Sequence, residues 1–366
     1  MSAEDRIRAE IRALSSYHVQ PSEGMVKLDA MENPFAFPEP LRAGLAEALA
    51  ATALNRYPAA SPADLKQSIR GAMHIPAELE ILLGNGSDEI IQLIAMAVAT
   101  PGAALLSVEP AFVMFKMIAT FCGLRYVGVP LRKDFSLDLP AVLAAIERER
   151  PAVAFIAYPN NPTGNRFDRE AIRAIIGSLA KHDGLAVIDE AYFAFSPDTF
   201  LDEISQYDNA VLLRTVSKLG LAGIRLGMLI GRPQWLDQFD KLRLPYNINV
   251  LTQAAARFAL AHYDQLLAQT KVIAAERERV AAALDRIPGV ARYPSDANFI
   301  LVRVADANAT YAALLSRRIL VKNTSNTHPL MQNTLRLSIG TPAENDALLV
   351  ALSTALSAAL TTSIKS

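Results

Sequence analysis

The sequence predicts an α/β protein: a large domain with a mostly parallel sheet between helices, followed by a smaller α+β domain. Three observations lead there. Short runs rich in Val, Ile and Leu recur without polar alternation, which suits strands covered on both faces. Segments between several of them carry a 3.6-residue period, and strand–helix–strand alternation argues for a parallel sheet. After Asn247 the character changes to a long Ala-rich, charge-studded helical region with only short strand candidates.

In chain order, residues 41–51 read as an amphipathic helix and EILL (80–83) as a strand. Residues 88–100 form a second helix, with Ile90, Ile91, Leu93, Ile94 and Val98 on its apolar face. Strand candidates follow at ALLSV (from Ala104), RYVGV (from Arg125), AVAFIAY (from Ala152), LAVID (from Leu185), AVLLRT (from Ala210) and RLGMLI (from Arg225), with a helical segment at 169–182. Beyond Asn247 come a helical region at 252–286, strands at FILVRV (299–304) and LRLSIG (335–340), and a closing helix at 344–360. The expected division is a large domain at 28–247, with 1–27 and 248–366 forming the small one.

A chain of 366 residues is long enough for two cores. Its net charge of −1, without blocks of like charge, gives no footprint for nucleic acid or an anionic membrane. The single cysteine, Cys122, excludes an internal disulfide framework and fits a reducing compartment. The N-terminus mixes acids and bases rather than carrying a signal peptide's apolar core, and the richest apolar stretch (90–108) is broken by Gln92 and Pro101-Gly102. The five histidines lack ligand spacing, so no metal site is expected. These features predict a cytoplasmic protein that acts on small molecules.

Ligands of open α/β sheets bind beyond the carboxyl ends of the strands. Four motifs sit there. In GNGSDE (84–89), Gly84 and Gly86 let the backbone bend, and the N–H groups of the following helix start suit a phosphate. In isolation a tight capped turn explains it equally well. A dinucleotide site fails, because position 89 is Glu rather than a third glycine and no acidic strand end follows at the right distance. YPNNPTG (158–164) is a rigid turn, in which Asn161 offers an amide fixed by the flanking proline. DEAYFAF (189–195) puts Asp189 at the end of an apolar strand, where a carboxylate is costly unless paired with a lysine, a metal or a protonated ring nitrogen. Tyr192 follows three residues on. In RTVSKLGLAGIRLG (214–227), Lys218 follows a strand. Lone loop lysines are ordinarily solvated, but Ser217 and Arg225 flank this one and both can bind phosphate.

Together these suit pyridoxal phosphate (PLP). A lysine forms an imine, a carboxylate keeps a pyridine nitrogen protonated, an amide and a phenol meet the ring oxygen, and Ser217, Arg225 and the Gly86–Asp88 turn take the phosphate.

In order and kind the motifs resemble the fold-type I PLP-dependent aminotransferases. The resemblance is closer to the histidinol-phosphate aminotransferases, through LDAMENPF (28–35), NRYP (55–58), GNGSDE, PYNIN (245–249), ANFILV (297–302) and LRLSIG. It spans nearly the whole chain. It implies that Lys218 is the Schiff-base lysine and proton shuttle, with Asp189 on the pyridine nitrogen and Asn161 and Tyr192 on the ring oxygen. Gly86, Ser87, Asp88, Ser217 and Arg225 would surround the phosphate, and Phe112 would stack on the ring where relatives commonly carry tyrosine. It further implies a homodimer in which Tyr57 reaches the neighbouring subunit's phosphate. Arg336 matches the arginine that binds the substrate's acid group, with Tyr17 and Asn33 nearby. Relatives often carry a second arginine where this chain has Lys322.

The activity implied is ping-pong transfer of an amino group between histidinol phosphate and 2-oxoglutarate, giving imidazole-acetol phosphate and glutamate, a step of histidine biosynthesis. An aromatic amino-acid aminotransferase is the rival within the class. A PLP lyase such as a phosphothreonine decarboxylase would keep the same cofactor residues. A PLP-sensing regulator would need a DNA-binding module ahead of Leu28, for which there is no room.

Overall fold

A computed structural model describes residues 6–16 and 20–365 of the chain. Its strands are β1 (Val26–Leu28), β2 (Glu80–Asn85), β3 (Ala104–Glu109), β4 (Arg125–Pro130), β5 (Val153–Ala157), β6 (Leu185–Asp189), β7 (Ala210–Thr215), β8 (Leu226–Gly231), β9 (Ala291–Arg292), β10 (Phe299–Arg303), β11 (Ile319–Asn323) and β12 (Thr334–Ser338). Seven form one sheet in the order β2-β8-β7-β6-β5-β3-β4. Strands β3 to β7 pair in parallel, and β8 runs antiparallel to both β2 and β7. The mostly parallel sheet is thus present.

Every residue of β5, β6, β7 and β8 is buried, which explains runs without polar alternation. One face takes the helices Gly86–Val98 and Val113–Cys122, whose Ile90, Ile94, Phe115 and Ile118 meet Phe155, Val187 and Leu213. The other takes Leu139–Glu149 and Arg169–Ala180 against Ile156, Ile188 and Leu212. In the second of these helices Ile172, Ile175, Ile176 and Leu179 fall at i, i+3, i+4 and i+7 and are all fully buried. Each such side chain contributes about 1.5–3 kcal/mol by leaving water. Asp168 caps the helix start.

The second sheet has the order β1-β11-β12-β10-β9. Only the β1/β11 pair is parallel, with Val26 opposite Ile319. The helical region expected at 252–286 is two helices, Val250–Ala261 and Tyr263–Leu284, divided at His262. Ile248, Ala256, Ala259, Leu260 and Leu266 pack into the core of the large sheet, whereas Ile273, Val280 and Leu284 belong with β10 to β12. The change of core therefore falls inside the longer helix. The helix Pro342–Lys365 closes the described chain. Among the described residues no helix is long and apolar enough to cross a membrane.

Candidate active site

The parallel strands deliver their carboxyl ends to one edge of the large sheet, and there the four motifs converge. They enclose a cavity of about 120 Å³ lined by Ser87, Asp88, Phe112, Asn161, Asp189, Tyr192, Ser217, Lys218 and Arg225, with Met31, Ala157, Ala191 and Thr215 completing the wall.

Lys218 sits in a single turn, Ser217–Leu219, directly after β7 and Val216. The turn is anchored from both sides. Thr215 Oγ1 accepts from the Ser217 amide at 3.2 Å, and Asn33 Nδ2 donates to the Leu219 carbonyl at 3.0 Å. Gly220 follows with φ of 118°, a conformation that side chains resist, and a Cβ there would also crowd Asn33. Lys218 Nζ donates to the Ala30 carbonyl at 3.1 Å. Burial, aided by the Arg336 charge, lowers its pKa from 10.5 to about 8. The amine is therefore partly neutral, and so nucleophilic, near physiological pH.

Asp189 closes β6 at 4% exposure. Burial raises its pKa from 3.8 to about 7, assisted by repulsion from Asp88 and Glu190. The Ala191 amide, donating to Oδ1 at 3.0 Å, and the Lys218 charge oppose the rise. A carboxylate so placed gains from any cation brought beside it.

At the other end of the cavity, Gly86 opens the helix Gly86–Val98 with φ of 76°. A Cβ there would lie 2.5 Å from the Arg225 guanidinium, and one on Gly227 would lie 2.5 Å from the Gly86 carbonyl carbon. The two glycines let β2 and β8 close over the helix start. There the Gly86 N–H donates to the Arg225 carbonyl at 2.9 Å and Ser87 and Asp88 line the cavity, and a helix N-terminus is a natural anion seat. Arg225 approaches Asp88 Oδ2 at 3.4 Å, while Asp88 Oδ1 is buried without a hydrogen-bond partner. The donors here suit an anion, the Asp189 carboxylate suits a ring cation and Lys218 suits an aldehyde. These residues fit PLP.

A second cavity, about 280 Å³, adjoins the first through Met31, Phe112 and Asn161. Arg336 and Lys322 line it, and they face each other in register across the β11/β12 pair. Arg336 is 8% exposed, with Nη1 donating to Asn161 Oδ1 at 2.6 Å and Nη2 to the Asp29 carbonyl at 2.8 Å. Asn161 thus orients the arginine as well as facing the cofactor cavity. Tyr192, expected at a ring oxygen, here donates its hydroxyl to the Met31 sulfur at 3.0 Å.

Two of the expected residues, Asn33 and Tyr57, do not line these cavities within the chain. Asn33 points away from both. Its amide bonds to the Leu219 carbonyl and to Gln269 Oε1 at 2.9 Å, and its Oδ1 accepts from the Phe35 amide, so it positions the Lys218 turn. Tyr57 is 82% exposed, in the surface segment between the helices Glu39–Ala50 and Ala63–Met73, and stacks on Tyr246 at 4.7 Å. Within one chain it does not approach the cofactor cavity. Tyr17 lies outside the described residues. The sequence reading had passed over Met31 and Thr215. Met31 lies within LDAMENPF, but only its tertiary contacts, Ser338 Oγ to its amide and Asn298 to its carbonyl, show that it lines both cavities.

This fold and site define a PLP enzyme of the aminotransferase class, and the model of the family "Aminotransferase class I and II" matches residues 23–352. Within that class, the chain belongs to the histidinol-phosphate aminotransferase family. It is 52% identical over 352 residues to a histidinol-phosphate aminotransferase of Chromobacterium violaceum, covering 96% of this chain and 98% of the relative. It is 54% identical over 353 residues to histidinol-phosphate aminotransferase 1 of Burkholderia lata, with the same coverage. The crystal structure of the histidinol-phosphate aminotransferase from Sinorhizobium meliloti in complex with pyridoxal-5'-phosphate superposes with a TM-score of 0.86 at 28% identity, covering 98% of this chain and 99% of that one. The protein is a PLP-dependent aminotransferase.

Proposed function

We propose that the protein transfers the amino group of histidinol phosphate to 2-oxoglutarate in histidine biosynthesis, and that the residues of the two cavities divide this work. One observation carries the reading. Arg336, buried and held by Asn161 and Asp29, presents a fixed cationic fork beside the cofactor cavity with a second cation, Lys322, in register.

PLP bound in the inner cavity supplies an aldehyde for exchange with amino groups and a ring that accepts an electron pair. The helix start at Gly86–Asp88, with Ser217 and Arg225, seats its phosphate. Asp189 holds a proton at the ring nitrogen, and ionises readily once that cation is beside it. Lys218 Nζ would take the proton from the substrate carbon that bears nitrogen and deliver it to the carbon of the cofactor's aldehyde group, so that the amino group stays with the cofactor. Its lowered pKa suits a base working near neutrality. Phe112 covers the ring face and keeps water away, and Arg336 fixes the substrate's anionic group.

The exposed Tyr57–Tyr246 stack supports a homodimer in which Tyr57 serves the neighbouring site, and the composition supports a cytoplasmic location. We place the division between the two domains inside the helix Tyr263–Leu284, later than the 247/248 boundary expected from composition. The function is tested by single-turnover spectra of the PLP-loaded protein without acceptor, using histidinol phosphate, phenylalanine, tyrosine and phosphothreonine. Histidinol phosphate should convert the cofactor fastest. Faster conversion by an aromatic amino acid, or decarboxylation of phosphothreonine, would overturn the assignment.

A further inference from the structure

The second cavity has an end remote from Arg336 with a different character. There Glu109, the last residue of β3, is the only carboxylate among the described residues lining it. The wall is otherwise marked by cations: Arg336, Lys322 and Lys116. Glu109 lies flat on the opposite strand, since a Cβ on Gly128 would sit 2.5 Å from its carboxyl carbon. Glycine at 128 is what allows the carboxylate to rest there. The Tyr126 phenol lies beside it, and burial, together with the Glu109 charge, raises the phenol's pKa, so Tyr126 stays protonated.

Across from Glu109 is His328, brought by the loop between β11 and β12. Its Nδ1 accepts from the Leu330 amide at 3.1 Å, which leaves the ring proton on Nε2, facing Glu109 Oε2. The separation of 3.8 Å is too long for a hydrogen bond. Glu109 thus keeps acceptor capacity at the wall of the cavity.

We infer that Glu109, beside Tyr126 and over Gly128, is a specificity-determining residue that accepts the ring N–H of an imidazole-bearing substrate whose anionic group lies on Arg336. The inference rests on the function proposed above and adds the reader of the substrate's other arm. A carboxylate there favours an imidazole, neutral or protonated. It gives nothing to the ring of phenylalanine, and it repels a distal carboxylate such as that of glutamate. A site built to bond an N–H discriminates strongly against ligands that lack it, because its own polar group is then left unpaired.

The test compares the two half-reactions in single turnovers of the PLP-loaded wild type and E109Q. The expected result is that the ratio of kcat/KM for histidinol phosphate to that for glutamate falls about ten- to a hundredfold, the scale of one hydrogen bond to a charged group. Equilibrium binding supplies a readout independent of turnover. In a Lys218→Ala background, calorimetry should show the same factor lost in affinity for histidinol phosphate on adding E109Q. Should E109Q fail to fold, histidinol phosphate methylated at each ring nitrogen in turn tests the unaltered enzyme, and at least one isomer should lose a similar factor. An unchanged ratio, equal losses in both half-reactions, or full activity of both methylated substrates would overturn the inference. Failure of the wild type to use histidinol phosphate would instead overturn the proposed function.

Discussion

Asp189→Asn separates what this carboxylate costs the empty protein from what it gives the loaded one. Folding raises its pKa from 3.8 to about 7, so the folded state binds a proton that the unfolded chain releases over that interval. For a raised acid the sign is fixed: its stability contribution is fullest below pH 3.8 and falls as pH rises through 7. The penalty of the ionised, buried group is about 2 kcal/mol at pH 5 and about 4 kcal/mol at pH 7.5, at roughly 1.4 kcal/mol per pKa unit. An amide of the same shape carries none of it. The difference between variant and wild type cancels titrating groups remote from Asp189, and Lys218, whose charge acts on it, stays largely protonated up to pH 7.5 in both. The variant apoprotein should therefore gain on the wild type by about 2 kcal/mol between pH 5 and pH 7.5. For a chain of this length that is about 3 °C in Tm. Urea unfolding of both apoproteins at pH 5, 6 and 7.5 measures it. The loaded proteins should diverge in the opposite sense functionally, with Asp189→Asn retaining PLP yet transaminating far more slowly. A stability difference that stays flat with pH would refute the reading of Asp189 as an unpaired buried acid. Near wild-type turnover would refute its catalytic role.

Lys218→Ala should fold, bind PLP and show negligible turnover, and normal activity in the purified variant would remove Lys218 from the mechanism. Mixing Lys218→Ala with Tyr57→Phe should restore activity through hybrids with one fully wild-type site, whereas hybrids that form without recovery would show that Tyr57 does not act across subunits. Lys322 offers a point charge where arginine would offer a fork, so Lys322→Arg should raise the kcat/KM of histidinol phosphate relative to phenylalanine by about tenfold or more. An unchanged ratio in both Lys322→Arg and Lys322→Ala would show that Arg336 reads the anion alone.

The sequence exposed most of the large sheet, because strands buried on both faces leave continuous apolar runs that no helix period explains. It could not reveal that β8 runs against its neighbours, since an apolar run reads alike in either direction. The three residues of β1 carry no period at all, and their pairing with β11 joins opposite ends of the chain. The break at His262 has no glycine or proline to mark it. In the site, residues at strand ends were legible because their motifs are local. The hold of Asn33 on the Lys218 turn is not legible in sequence, because its partners Leu219 and Gln269 are both remote along the chain. The facing of Glu109 and His328 was invisible for the same reason: one ends a strand of the large sheet and the other sits in a loop of the small one.

The helix Tyr263–Leu284 has 22 residues and is about 33 Å long. Its first turns are set in one core and its later turns in the other, and between them Gln269 bonds to Asn33 and to the Ala36 carbonyl. In mechanical terms it is a beam clamped at both ends and pinned about a third of the way along. A wide swing of one unit would have to bend the beam or shear packed side chains out of their sockets. Because the pin is the same Asn33 that holds the Leu219 carbonyl, strain in the beam reaches the turn of Lys218 before it reaches any other part of the cavity wall.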